Sequence, residues 1–421
     1  MDTLKALIKQ KIPGKVVFQV LVSWFVLLAA QYVSGDEQRL VGLISARLSY
    51  MDEVAAYKWM NGLPIEDLER EAVVLDKAVI SGLNKGIRIE TSKAFFSQQI
   101  DAAKEIQRYW FTYWKSNPAP GSAPDLIGIV RPELIRLGDA MINELAILKH
   151  TTVAQRNFLD KTKIEGFSSP GKQKLYTALS GIRFYDHQLQ QVLDTGILRV
   201  GTTGDYAPFS YRGDMDPVLA GIDIDLARDL ATSLGVGVRF TKTSWPSLMD
   251  DLKAGLYDIA MSGVSRNLDR QKTGYFSIAY HKGGKTPITL CKNIDRFNSL
   301  KKINTRSTRI IVNPGGTNER YVDSHIQHAR KIVHSDNRTI FEEIINGHAD
   351  LMITDSIEVQ LKSTRHKELC AAMPDENLTH LDKGYLMPQD EKLKAYVNLW
   401  LATRLADGTV KSIFNKHLNE S

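Results

Sequence analysis

The chain has 421 residues, 43% of them hydrophobic and 24% charged, which is ordinary globular composition and length enough for two or three domains. The formal net charge is +6, but Lys and Arg are spread along the chain with no long basic block and no interleaved aromatic array, so no nucleic-acid partner is expected. A modest positive field suits small anionic substrates instead.

The N-terminus carries Lys5, Lys9, Lys11 and Lys15, then the apolar run Val16–Ala30, then Gln31-Tyr32-Val33-Ser34-Gly35. This order of charged, apolar and small residues predicts a signal peptide over residues 1–35 and export to the periplasm, with no membrane association after cleavage. The apolar run, about 15 residues, is short of the roughly 20 that span a bilayer, which makes an uncleaved anchor the lesser alternative. Cys291 and Cys370 are the two cysteines. In an oxidising compartment they can form one disulfide, and two buried free thiols are the alternative.

Residues 36–185 read as an all-helical domain. Helices are expected over 37–60, 65–83 and 90–114, then a loop at Asn117–Pro124, then helices over 126–149, 151–163 and 172–184. Leu40, Leu43, Ile44, Leu48, Met51, Val54 and Ala55 form the buried stripe of the first helix. Arg47 and Lys58 lie on or beside that stripe, eleven residues apart, close to three whole turns. Gln107 sits in the stripe of the third helix, among Phe96, Ile100, Ala103, Trp110 and Trp114. Buried cations need anionic partners. Either their heads snorkel to solvent, or they, with Gln107, Arg70 and Arg131, surround a small polyanion.

Residues 186–421 alternate strand and helix and predict a two-lobed α/β domain. The first round is a strand in "GILRVGTTGDYAPFSY", a helix at 224–233, a strand in "VGVRFTKTS", a helix at 247–254 and a strand in "YDIAMSGVS". The second has strands at Arg309, Lys331 and Asp350 and helices at Asn318 and Ile340. A cleft between two such lobes is a favoured ligand site. In "VNPGGTNERYVD", Gly315-Gly316 precedes a helix start at Thr317-Asn318, a place that suits an anion. Glu319 at the same spot conflicts with an anionic ligand unless it is protonated.

"SARLSYMDEVAAYKWMNGLPIEDLEREA" and "FSQQIDAAKEIQRYWFTYWKSNP" resemble the exported, gamma-class chorismate mutases over roughly residues 37–183. The resemblance implies rearrangement of chorismate to prephenate without cofactor or covalent intermediate. It implies that Arg47, Lys58, Arg70 and Arg131 bind the substrate and that Gln107 lies near the ether oxygen. Mutases of this class are often dimers, which is consistent with a homodimer. A pericyclic rearrangement needs a dianion held folded, with donors where charge develops, rather than an acid or base.

From about Gln188 the chain resembles periplasmic amino-acid-binding proteins, through "RVGTTGDYAPFSY", "GIDIDLARDLA" and "DLKAGLYDIAMSGVSRNLDRQK". That resemblance implies Trp245 as an aromatic wall, contacts from Gly263 and Ser265, and Arg270 as a carboxylate clamp. It implies Thr317 as a second-lobe donor and Asp355 where an α-ammonium is held. "GVSRNLDRQKTGYFS", "GGKTPITLC" and "NPGGTNERYV" look like cyclohexadienyl dehydratase, an enzyme on this fold that converts prephenate to phenylpyruvate and arogenate to phenylalanine. Loss of a ring hydroxide needs a general acid. Glu319 is the candidate, its pKa expected to rise beside two substrate carboxylates in a closed cleft, with Asn318 and Lys285 orienting the substrate. The chain thus reads as a chorismate mutase fused to a cyclohexadienyl dehydratase, with no metal or other cofactor implied. The alternative is a mutase fused to a non-catalytic amino-acid-binding domain.

Overall fold

The computed structural model describes residues 35–149, 153–212 and 218–419. The expected signal segment lies outside the described residues, apart from Gly35. The chain divides into two compact units, Met1–Tyr185 and Asp186–Ser421. Among the described residues no helix is long and apolar enough to cross a membrane.

The first unit is all-helical. A helix over 35–49 runs on through Tyr50, whose backbone is itself helical, into Met51–Met60. Gly62, at φ 63°, ends it. The next helix, Leu68–Asn84, starts three residues later than expected. Asp67 is its cap and accepts from the Arg70 N–H, so Ile65 and Glu66 belong to the connecting loop. The long helix Ile89–Tyr113 packs against Met51–Met60, Leu68–Asn84 and Ser169–Ser180. Phe95, Ile106, Leu48, Met141 and Leu175 lie in their common core.

Residues 126–149 differ from the single helix expected. Leu126–Val130 is one π-helical turn, and the α-helix proper is Arg131–Ile147. The Asp125 side chain accepts from the Ile127 N–H, and the Asp125 carbonyl accepts from the Val130 N–H, which widens the turn. Pro132, lacking an N–H, sits in the first turn of the helix that follows, where none is needed. The helix expected at 151–163 is Gln155–Lys161, entered from Ala154, whose N–H goes to Glu37.

The second unit is the expected two-lobed α/β structure. In the first lobe the sheet runs Gly237–Lys242, Ile197–Thr202, Ile259–Ala260, Leu386–Met387, Tyr275–Phe276, with the first three strands parallel. In the second it runs Arg330–Val333, Arg309–Val312, Leu351–Asp355, Lys285–Leu290, Leu369–Ala371. The first three are again parallel and the last two antiparallel. The chain leaves the first lobe near His281 and returns near Lys383, where the two segments bridge each other. The second lobe is therefore one continuous insertion in the first. The "YDIAMSGVS" strand is only Ile259–Ala260 long, because the chain then turns at Gly263, φ 63°.

Cys291 and Cys370 form a disulfide between neighbouring segments of the second lobe, with a Cα–Cα distance of 4.8 Å. It closes a loop of 79 residues, which corresponds to about 4 kcal/mol of lost unfolded-chain entropy. Cys291→Ser should lower the stability of this lobe by about that amount. Urea unfolding of the variant and of wild type under reducing conditions should give the same loss.

Candidate active sites

In the helical unit, a cavity of about 360 Å³ opens between the helices, and Arg47, Lys58, Arg70, Gln107 and Arg131 all line it. Four separate helices deliver them: 35–49 and Met51–Met60 for the first two, Leu68–Asn84 for Arg70, Ile89–Tyr113 for Gln107 and the start of Arg131–Ile147 for Arg131. The cations have few anions around them. Arg47 reaches the side-chain oxygen of Gln99 at 3.3 Å, and burial pulls its pKa down to about 10. Lys58 donates to the Ile65 carbonyl at 2.6 Å. Burial lowers its pKa, and Asp67 and Glu71 offset part of that. Both residues are half-buried and line the cavity with no carboxylate bonded to their heads.

Gln107 is 4% exposed. Its amide nitrogen donates to the Ala103 carbonyl at 3.1 Å, leaving its second N–H with only the weak Met51 sulfur at 3.9 Å, and its oxygen has no partner. Val54, Phe96, Ile100 and Leu134 give the wall its apolar part, and Asp67, Glu71 and Asp139 also border it. Lys104, which the sequence analysis does not single out, also lines it and pairs with Glu71 at 3.0 Å. Such a site favours a small dianion with an apolar body.

In the α/β unit, the cleft is lined by Trp245, Gly263, Ser265, Arg270, Thr317, Asn318 and Asp355, together with Tyr206 and Lys383. Its parts come from the carboxyl ends of the parallel strands, the usual ligand side of such sheets. Gly263 is required: at its positive φ, a Cβ would meet the rings of Phe209 and Tyr206. Asp223, buried under this turn, accepts from the Gly263 N–H and the Tyr280 hydroxyl, and burial raises its pKa to about 7. Gly315, also at positive φ, lies so close to Pro246 of the first lobe that a Cβ would collide with it. The cleft is nearly shut, with about 20 Å³ free, room for one water-sized group. A ring substrate enters only when the lobes part.

Arg270 is 3% exposed and uses one amino group on the Ser265 carbonyl at 3.1 Å, while its Nε has no partner. Burial lowers its pKa to about 10. Asp355 accepts from Lys285 at 3.2 Å, from Lys383 at 2.5 Å and from the Tyr206 hydroxyl. Burial acts to raise its pKa, but the two lysines outweigh it and hold the group well below the usual carboxylate range. Lys285 also donates to Asn318, whose amide nitrogen donates to the Thr354 hydroxyl at 3.1 Å.

Glu319 is placed differently from the sequence expectation. It stands in the first turn of Thr317–His325, but its carboxylate takes the Gly315 N–H at 2.8 Å and pairs with Lys331 at 3.2 Å. It does not line the cleft. Glu358, 2% exposed and one turn into the helix that Asp355 caps, does not line the cleft either. Burial raises its pKa to about 7, against the opposing hydrogen bond from the Thr354 hydroxyl at 2.5 Å. Its sequence signal was a Glu between Ile357 and Val359 on a buried helix face. Lys383, in "DKGYL", belongs to no motif, and only the return crossing brings it to the cleft.

Comparison with known proteins divides the chain at the same place. The family profile of bacterial extracellular solute-binding proteins, family 3, matches residues 198–420, and that of chorismate mutase type II matches residues 36–108. Cyclohexadienyl dehydratase of Pseudomonas aeruginosa is 49% identical over 224 residues, 53% of this chain and 83% of that protein. Secreted chorismate mutase of Yersinia pestis is 34% identical over 146 residues, 35% of this chain and 76% of that protein. The crystal structure of the ancestral amino acid-binding protein AncCDT-1, described as a precursor of cyclohexadienyl dehydratase, shares 32% identity at a TM-score of 0.51. That match covers 55% of this chain and 99% of the ancestral one.

The raised pKa of Glu358 has a consequence for stability. A carboxyl whose folded pKa is about 7 rather than about 4.5 stabilises the fold fully below pH 4.5 and loses that contribution as pH rises through 7. Glu358→Gln should therefore be more stable than wild type at pH 8, by about 3 kcal/mol, and equal to it at pH 4. Urea unfolding at the two pH values measures the difference.

Proposed function

Since the chain belongs to the family-3 bacterial extracellular solute-binding proteins through its α/β unit and to the secreted chorismate mutases through its helical unit, we propose that it converts chorismate to phenylpyruvate in two steps. The helical unit rearranges chorismate to prephenate. The α/β unit dehydrates and decarboxylates prephenate, and the same chemistry takes arogenate to phenylalanine. The observation that carries this reading is the convergence of Arg47, Lys58, Arg70, Arg131 and Gln107 on one cavity. The product of that cavity's reaction is then the substrate class of the second unit.

In the first step the residues hold rather than react. Arg47, Arg70 and Arg131 take the two carboxylates, since guanidinium forks match carboxylates. Lys58 and the weakly held second N–H of Gln107 face the ether oxygen, where negative charge grows as the C–O bond breaks. The Phe96 and Val54 wall keeps the enol chain folded over the ring.

In the second step the ring carboxylate leaves as carbon dioxide. The electron pair released makes the ring aromatic and expels the ring hydroxyl as water, using one proton. Arg270 and the lysines at Asp355 hold the substrate's negative charge. For the proton we propose Glu319, which follows the cleft-lining Thr317 and Asn318 in the chain and is partly exposed beside Lys331. Glu358 is sealed behind Thr354, does not line the cleft and has no route by which its proton reaches a substrate. Closure over the substrate keeps water from the acid. The relatives are a secreted enzyme and solute-binding proteins of the extracellular family, so the chain is read as exported, with residues 1–35 as its signal.

Feeding chorismate to the purified protein tests both steps at once. Wild type should yield phenylpyruvate, Glu319→Gln should accumulate prephenate, and Glu358→Gln should still yield phenylpyruvate. Prephenate accumulating in wild type would make the α/β unit a binding module. A stall in Glu358→Gln alone would move the acid's role to Glu358.

Gln107 has no titratable group, so the mutase step should be flat between pH 5 and 8 with respect to this residue. Gln107→Glu should make it acid-dependent, active when the carboxyl is protonated and at least 100-fold slower at pH 8, since charge at the ether oxygen then repels. The pH profile of chorismate consumption reads this directly.

A further inference from the structure

Cations and anions are unevenly matched in the α/β cleft. Asp355 is the one carboxylate among the residues lining it. Its oxygens already hold Lys285, Lys383 and the Tyr206 hydroxyl. An entering ammonium group would need an anionic acceptor, and desolvated without one it is very costly. It could take Asp355 only by displacing a lysine. Lys285 and Lys383 are 0% and 2% exposed, so a displaced one would be left buried without its counter-charge.

Lys383 is the less replaceable of the two. Its backbone is pinned on the return crossing, its N–H donating to the His281 carbonyl at 2.8 Å and its own carbonyl accepting from Tyr280 at 3.1 Å. The side chain bridges the lobes, from Ser265 Oγ at 2.9 Å on one side to Asp355 at 2.5 Å on the other. The rings of Tyr206 and Phe209 cradle its ammonium at 5.2 and 5.6 Å. Anions and carbonyl oxygens meet the opposite reception. Arg270 and Lys383 line the cleft against Asp355, with Lys285 buried behind it, and the Arg270 Nε has no partner.

We propose that Lys383 acts as a built-in ammonium on Asp355 and makes this cleft select 2-keto acids over the matching 2-amino acids. Lys383 is on this account a specificity-determining residue. For the substrates named above, whose identity rests on the proposed dehydratase function, prephenate carries the keto side chain and arogenate the amino one. The preference therefore runs to prephenate.

Binding and turnover, measured on the full chain, separate this inference from the function it builds on. Calorimetric titration with phenylpyruvate and with L-phenylalanine reads keto against amino selectivity without any turnover. The ratio of kcat/KM for prephenate and arogenate reads it during catalysis. Wild type should favour the keto partner by at least about 30-fold in both. Lys383→Met and Lys383→Gln should reduce the ratio at least tenfold, chiefly through a gain for the amino partner, while Lys383→Arg keeps it. Equal or better use of the amino partner by wild type overturns the proposal, whether or not the variants fold. An unchanged ratio in folded neutral variants also overturns it. Keto-selective binding with neither substrate turned over would sink the dehydratase reading and leave the selectivity standing.

Discussion

The α/β unit is organised around one buried carboxylate. Asp355 lies in the second lobe, and two of its three partners, Tyr206 and Lys383, come from the first lobe and the return crossing. A charge this deep is tolerable only while its partners stay in place. The closed arrangement of the lobes and the ionised state of Asp355 therefore sustain each other. Parting the lobes exposes the group to water, which can take over the role of those partners. The same pair of lysines leaves the cleft with surplus positive charge, and this surplus is what a dianionic ring would neutralise.

The helical cavity meets the same problem in another way. Two of its cations have neutral partners instead of carboxylates: Arg47 has an amide, Lys58 a carbonyl. Two of its acids are already committed, Glu71 to Lys104 and Asp67 to the Arg70 N–H. The result is a pre-arranged set of donors that a ligand does not have to reorganise. Both units thus present more cations than carboxylates to a ligand.

Much of this was readable in the sequence, for a physical reason. Arg47 and Lys58 stood out because they broke an apolar stripe of fixed period, and the fold placed them on one cavity. The paired α/β rounds gave the lobes because strand and helix periodicities differ. What stayed hidden depended on long-range geometry. Lys383 is separated from Ser265 by 118 residues, and no local pattern announces their contact. Glu319 looked exposed to an anion because helix starts attract anions, yet Lys331, on a neighbouring strand, draws its carboxylate away. Glu358 hid in plain view: a lone acid between Ile357 and Val359 reads as an ordinary surface residue until the face it lies on is known to be buried.

The double crossing also sets an order of assembly. The second lobe is contiguous, and every strand of its sheet is present once the chain has reached Ala371. The first lobe cannot complete its sheet until Leu386–Met387 arrives, after the whole second lobe has emerged. A chain that appears from its N-terminus must therefore hold an unfinished sheet edge for more than a hundred residues. Lys383 arrives only with that closing strand. Until then Asp355 lacks one of its two lysines, so the step that finishes the first lobe is also the one that completes the charge balance of the cleft.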